Sequence, residues 1–301
     1  MKSYASIVII CICTCFCACS GYSDSAHDLS VALRKCYSQY LDAVETGDVE
    51  AWERLTSGFA ATESKNFAVS SGQTFGSAYL KSIAPFICQR SLDGLKQLTV
   101  KQKGDAAKLI LYGIPSTEQN ANNPQVVASY HVIDFVRQHE TWRVHFVSGF
   151  LPGQVPGAEK ATAEDDYSDL LSLDLFDIAD TFPAIPREVP SIDERGVLLI
   201  NTGGYKTQVW INGYNQCPRL PIVDASNMCP VIGGLNSGTN TIRIAVEKML
   251  GESCYGKNVP DYSITVKVVC KGNPIRKVFE YSPGIPPLTH EASFTITRED
   301  F

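Results

Sequence analysis

The side chains in this chain that could do chemistry are five histidines, six cysteines beyond the N-terminal stretch, and one cluster of aromatic and amide residues. The histidines are His27, His131, His139, His145 and His290, and no two stand at H-E-x-x-H or a similar ligand spacing. Neither a G-x-S-x-G elbow, a Walker loop nor G-x-G-x-x-G occurs, which disfavours P-loop, dinucleotide and zinc-peptidase chemistries. Gly203-Gly204 and Gly233-Gly234 read as turn glycines. One acid–imidazole pairing follows from register. If 126–136 and 142–150 form a hairpin through His139-Glu140, Phe135 faces Val144, Ile133 faces Phe146 and Asp134 faces His145. Asp134 and His145 are then a candidate general acid–base pair. The plainer reading is a partly solvated polar face shared with Arg143, and His131 points to the opposite face. A second constellation is Tyr205, Trp210, Tyr214 and Tyr255 with Asn212 and Asn215. Aromatic faces stack on the C–H face of a pyranose while amides bind its hydroxyls, so these residues could form a sugar platform. Trp210, between Val209 and Ile211, reads as a core residue instead.

The first residues bear on where such chemistry would take place. After Lys2, an apolar run from Ala5 to Ala18 is shorter than the ~20 residues that span a bilayer, and fits a signal-peptide h-region. It ends Phe16-Cys17-Ala18-Cys19-Ser20, which resembles a bacterial lipobox, with Phe16 where that family usually has Leu. The resemblance implies a signal over residues 1–19, a diacylated Cys19 as mature N-terminus, and a lipid anchor in the cell or outer membrane facing the periplasm or exterior. Ordinary cleavage after Ala18-Cys19-Ser20 and an uncleaved anchor are the rival readings.

Five of the 11 cysteines lie in this segment, leaving Cys36, Cys88, Cys217, Cys229, Cys254 and Cys270. An even number in an exported chain reads as disulfides. Cys36–Cys88 would tie the first helix to the third, and Cys217–Cys229 and Cys254–Cys270 would each close a local loop, one of three connectivities open to the last four. Buried free thiols are the competing reading. With no C-x-x-C pair among these six and no histidine spaced to join one, neither a metal nor a cofactor is expected.

These groups must be held by two units. Leu33, Cys36, Tyr37, Tyr40, Leu41 and Val44 form one helical face after a cap at Asp28 or Ser30. Thr46-Gly47-Asp48 breaks that helix, a short one follows with Val49, Trp52 and Leu55 inward, and a third spans 77–87. Strands follow over 95–103, 105–114, 126–136 and 142–150, an α+β order. The run Tyr40-Leu41-Asp42-Ala43-Val44-Glu45-Thr46-Gly47-Asp48 with Trp52 and Leu55, and the strands Ala128–Val136 and Trp142–Phe146, resemble the nuclear transport factor two-like (SnoaL-like) superfamily. The resemblance implies an α+β cone-shaped domain over residues 28–150, a curved antiparallel sheet wrapped on the long helix. Ketosteroid isomerases, cyclases and many non-enzymes share that fold, so it says little about activity.

Residues 151–195 carry eleven acids against three bases, a net −8 inside a chain of net −6. Prolines 152, 156, 183, 186 and 190 bracket the stretch, which reads as an exposed acidic linker with one short helix over 167–179. Its Leu170, Leu171, Leu175 and Ile178 are available to dock on a neighbouring domain. Six short strands then follow in residues 196–301, predicting an all-β sandwich domain. Val209–Gly213 and Gly238–Val246 resemble jelly-roll modules of galactose-binding-like type, with an immunoglobulin-like sandwich as the alternative. The negative charge and the lack of a basic stripe exclude a nucleic-acid partner. The expectation is a non-catalytic, lipid-anchored envelope protein that takes a small hydrophobic ligand, a carbohydrate or another envelope protein. The isomerase or cyclase using Asp134 and His145, and a carbohydrate-binding accessory protein, are the alternatives.

Overall fold

The computed structural model describes residues 26–84, 92–114, 128–173, 176–178, 182–217, 222–223, 226–248, 263–270, 276–283 and 289–297. The signal segment with Cys19, and Cys88, Cys254 and Tyr255, lie outside them. Within them the chain is a mixture of helices and three antiparallel sheets.

Helix α1 (Ala26–Thr46) buries Leu29, Leu33, Cys36, Tyr37, Leu41 and Val44, close to the stripe expected from i, i+3, i+4 spacing. Gly47 ends it at φ +70°, where a Cβ would come within 2.3 Å of the Ser77 hydroxyl, so the turn needs glycine. Asp48 then caps α2 (Val49–Leu55), its carboxylate accepting the Ala51 N–H at 3.0 Å. Helix α3 (Gly58–Ser70), capped by Ser57, is the element the sequence pattern conceals. Its buried side includes Thr62, Asn66 and Ser70, four residues apart, so a polar stripe faces inward where apolar periodicity would normally mark a helix. Helix α4 (Ser77–Ile83) completes the set.

Strands β1 (Leu95–Lys103), β2 (Ala106–Gly113), β3 (Ser129–Gln138) and β4 (Thr141–Phe150) form a meander in sequential order. One face places Leu109, Leu111, Ile133, Phe135 and Val144 against α1. The other carries Ile110, Tyr130 and Val132, and the segment expected to be a solvated linker covers it. Residues Val155, Ala158, Ala161, Tyr167, Leu170 and Phe176, partly on short helices Ala158–Glu164 and Ser168–Leu171, pack there as a second core. Leu170 and Leu171 thus dock as expected, and Val155, Ala158 and Ala161 join them, so the described residues here are packed and not extended. Their apolar side covers a sheet face that would otherwise expose large aliphatic area. The strands also supply cations toward this segment. Lys96 pairs with Asp165, Lys101 with Asp177 at 2.8 Å, and buried Lys108 donates to the Asp177 carbonyl at 2.7 Å.

The last hundred residues contribute β5 (Gly196–Gly203), β6 (Tyr205–Ile211), β7 (Tyr214–Asn215), β8 (Ile222–Val223), β9 (Ser226–Pro230), β10 (Gly238–Lys248), β11 (Ser263–Cys270), β12 (Arg276–Tyr281) and β13 (Thr289–Ile296). They form a five-stranded sheet, β13-β10-β6-β7 with β8 also on β6, and a four-stranded one, β12-β11-β5-β9. Leu198, Ile200, Val266 and Val268 of the second sheet share one core with Val209, Ile211, Ile242 and Ile244 of the first. Residues 182–190 form a proline-bearing strap between the two halves. Asn66 of α3 clamps it, donating to the Arg187 carbonyl and accepting from the Val189 N–H, both at 2.8 Å. Gly233 N–H donates to Ser70 at 3.0 Å, and Arg195 donates to the Gly72 carbonyl at 3.2 Å. The inward polar stripe of α3 is thus the seam of the molecule.

Candidate functional site

Asp134 and His145, the acid–imidazole candidates, are not brought together. The hairpin register matches the expectation as far as Phe135 opposite Val144, but a β-bulge follows, and Asp134 lies opposite Phe146 and Ile133 opposite Val147. His145 is the extra residue of the bulge. The cause sits beside the edge of β4. Thr56 bridges Val144, and the Ser57 N–H donates to the Val144 carbonyl at 2.9 Å, so the strand is pinned there by the start of α3. Asp134 instead turns to the face under the acidic segment and pairs with Lys108 at 3.3 Å. Burial pushes its carboxyl up and the Lys108 ammonium pulls it back.

His145 is buried on a serine. Its Nδ1 lies 2.8 Å from Ser57 Oγ, which also accepts the Ala60 N–H at 3.2 Å, and its ring sits among Phe59, Phe146 and Phe182. Ser57 is 1% exposed, so this hydroxyl–imidazole pair has no approach for a substrate and reads as a helix cap joined to a bulge. His131 lies on the α1 face as expected, 2.9 Å from Ser129 Oγ, and burial pushes it down to about 4.

Cys36, Cys217, Cys229 and Cys270 are free thiols, and Cys88 and Cys254 lie outside the described residues. Cys36 donates to the Trp142 carbonyl at 3.1 Å, while burial, together with the neighbouring Cys229, pushes Cys217 up to about 12.

The space able to accept a ligand lies elsewhere, in a cleft of about 660 Å³ between α3, the strap and the outer face of the five-stranded sheet. Strand alternation builds its floor. In β6, Thr207, Val209 and Ile211 point into the core, so Gln208 and Trp210 point out. The expectation that Trp210 is core is corrected, because its two apolar neighbours take the inward places. Asn215 of β7, opposite Trp210, extends the floor, while Tyr214, opposite the inward Ile211, also lines the cleft; Phe67 and Tyr79 form the opposite wall, and Arg187 from the strap lies 5.0 Å over the Tyr214 ring. The back of the cleft needs glycine. Gly233 has φ +85°, and a Cβ there would meet the Tyr214 ring at 2.3 Å.

The platform read from the sequence is only partly assembled. Trp210, Tyr214 and Asn215 share the cleft, whereas Tyr205 is buried in the core. Asn212 is spent on the β6–β7 turn, donating to Asn240 Oδ1 at 2.8 Å and accepting the Thr241 N–H at 3.0 Å. Sequence reasoning missed Gln208, Phe67, Tyr79 and Arg187, and for Gln208 the period-two alternation of 205–211 was a usable signal. Among the described residues the Gln208 side chain makes no internal hydrogen bond and is available to a ligand. Burial, aided by Glu63, pushes the Tyr79 phenol up to about 12, and burial pushes Cys229 up to about 11. Both stay protonated near neutrality, so neither supplies a base there. The cleft therefore offers ring faces, amide and hydroxyl groups, the Arg187 guanidinium and the Glu63 carboxylate, a surface for holding a polar, partly apolar molecule. Comparison with protein families, with curated proteins and with solved structures gives no match for this chain, so its likeness to any known protein rests on the motifs quoted above.

Proposed function

We propose that the chain is a non-catalytic, lipid-anchored envelope protein that binds carbohydrate in the cleft between its two halves. The observation that carries this reading is that outward Trp210, the uncommitted Gln208 amide and Tyr214 line one cleft of about 660 Å³. A pyranose ring has an apolar C–H face and a rim of hydroxyls. Flat aromatic rings desolvate the face, and amides exchange hydrogen bonds with the rim. The volume lies in the ~300–1,000 Å³ range usual for small-molecule sites. On this reading residues 28–150 are the cone-shaped domain, supported by the meander packed on α1. The two C-terminal sheets are the galactose-binding-like or immunoglobulin-like sandwich, supported by their shared core. Acylation at Cys19 would hold the cleft outside the cytoplasm, where polymeric glycans are abundant.

The test is a binding screen of the mature chain against immobilised glycans, followed by calorimetry on Trp210→Ala. Binding should weaken at least tenfold, about 1.4 kcal/mol, with thermal unfolding little changed because the indole lies outside the core. Absence of glycan binding, or unchanged affinity in Trp210→Ala, would overturn the proposal.

A further inference from the structure

The cleft does not end at Trp210. A second depression of about 710 Å³ begins on the far side of the indole, lined by Thr241, Arg243, Glu291 and Ser293, and it shares Trp210 and Gly213 with the cleft. The registers explain why these residues adjoin. Asn215 lies opposite Trp210, Trp210 opposite Arg243, and Arg243 opposite Glu291. Four neighbouring strands thus present one straight row on the outer sheet face. The Arg243 guanidinium stacks 3.8 Å from the centroid of the Trp210 ring, which holds the indole at the boundary of the second depression that Arg243 also lines. Gly213, at the tip of the β6–β7 turn, has open space where a Cβ would stand, so the rim between the depressions is low.

We infer that the two depressions are a single extended site and that its occupant is a linear, uncharged oligosaccharide crossing Trp210 from the α3 side toward β13. This rests on the carbohydrate reading of the cleft and assigns its second half. A compact ligand would need only one depression, since either alone lies in the usual small-molecule range. Arg243 and Glu291 are side by side with opposite charge, and neither makes an internal hydrogen bond among the described residues. Together they supply donors and acceptors with no net charge, which suits the hydroxyls of a neutral chain and disfavours an anionic one. The open side of the second depression lets a chain continue.

The experiment uses the mature chain and ladders of linear glucan, mannan, xylan and chitin fragments, two to six residues long, with affinity measured by calorimetry. Affinity for the best ladder should rise at least tenfold from the disaccharide to the hexasaccharide. Glu291→Ala should return the hexasaccharide to near the disaccharide's affinity while leaving disaccharide binding unchanged, and Trp210→Ala should weaken both. A disaccharide that binds as tightly as the hexasaccharide, or a Glu291→Ala variant with an unaltered length dependence, would overturn the extended site and leave the cleft reading intact. If no ladder member binds, the carbohydrate reading itself fails and the extension falls with it. Matching thermal unfolding of the variants excludes misfolding as the cause.

Discussion

Asn66 is the residue whose removal most directly tests how the two halves are held. It is 4% exposed, and both ends of its amide are used on the strap. Its Nδ2 donates to the Arg187 carbonyl and its Oδ1 accepts from the Val189 N–H, each at 2.8 Å. Asn66→Ala removes two hydrogen bonds at about 1 kcal/mol each and strands the partners. Val189 is buried, so its N–H is left without water, a further cost of about 1–3 kcal/mol. Arg187 is exposed, so its carbonyl can be rehydrated. The expected loss is therefore about 3–5 kcal/mol, read as a lowered urea midpoint in tryptophan fluorescence with the slope preserved. The Val189 amide should also exchange faster with solvent. Asn66→Asp keeps the acceptor but sets a carboxylate against the Arg187 carbonyl, so it should be as destabilising at neutral pH and recover when the acid is protonated. A loss below about 0.5 kcal/mol in Asn66→Ala, with Val189 exchange unchanged, would refute the clamp and with it the rigid back wall of the cleft.

Two further outcomes follow from buried groups. His131 is held near 4 by burial against an ordinary value of 6.5. Its contribution is present in full above about 6.5 and is lost as pH falls toward 4, about 3 kcal/mol at about 1.4 kcal/mol per unit. Urea unfolding at pH 7 and pH 4.5 should show His131→Gln losing less over this interval than the parent, and parallel losses would mean the imidazole is not buried neutral. Cys217 and Cys229 are close enough for one to raise the other. In protein recovered from an oxidising compartment they should be found joined, contributing ~2–4 kcal/mol, and non-reducing peptide mapping that finds both alkylated would refute the pairing.

The elements whose signal is local were legible from residue order. The stripe of α1, the Gly47 break, the strands of the first half and six of the nine in the second follow from periods of 3.6 and 2 and from turn residues, while the short β7, β8 and β9 do not. Helix α3 escaped because its inward side bonds to the strap and to Gly233, and polar residues serving a tertiary seam leave no apolar period. In the acidic segment the docking of Leu170 and Leu171 was legible, but that of Val155, Ala158 and Ala161 was not. Acids dominate the composition there, and the partner of these apolar residues is the back of a sheet formed by earlier strands.

The candidate site divides along the same line. The hairpin alone places Asn215 beside Trp210, whereas Tyr214, opposite the inward Ile211, joins them through its packing on Gly233 and the strap. The pairing of Asp134 with His145 was also a hairpin deduction, and it failed at a single bulge because α3, distant in sequence, pins Val144 from the side. A one-residue insertion costs little locally and reverses every side chain beyond it, so neighbours from elsewhere in the chain determine it. The cleft is the extreme case. Phe67, Arg187 and Trp210 lie far apart in sequence and become one surface only when the helical half, the strap and the five-stranded sheet pack together. Chain order supplied the rings and amides; the packing of three distant segments turned them into a place for a ligand.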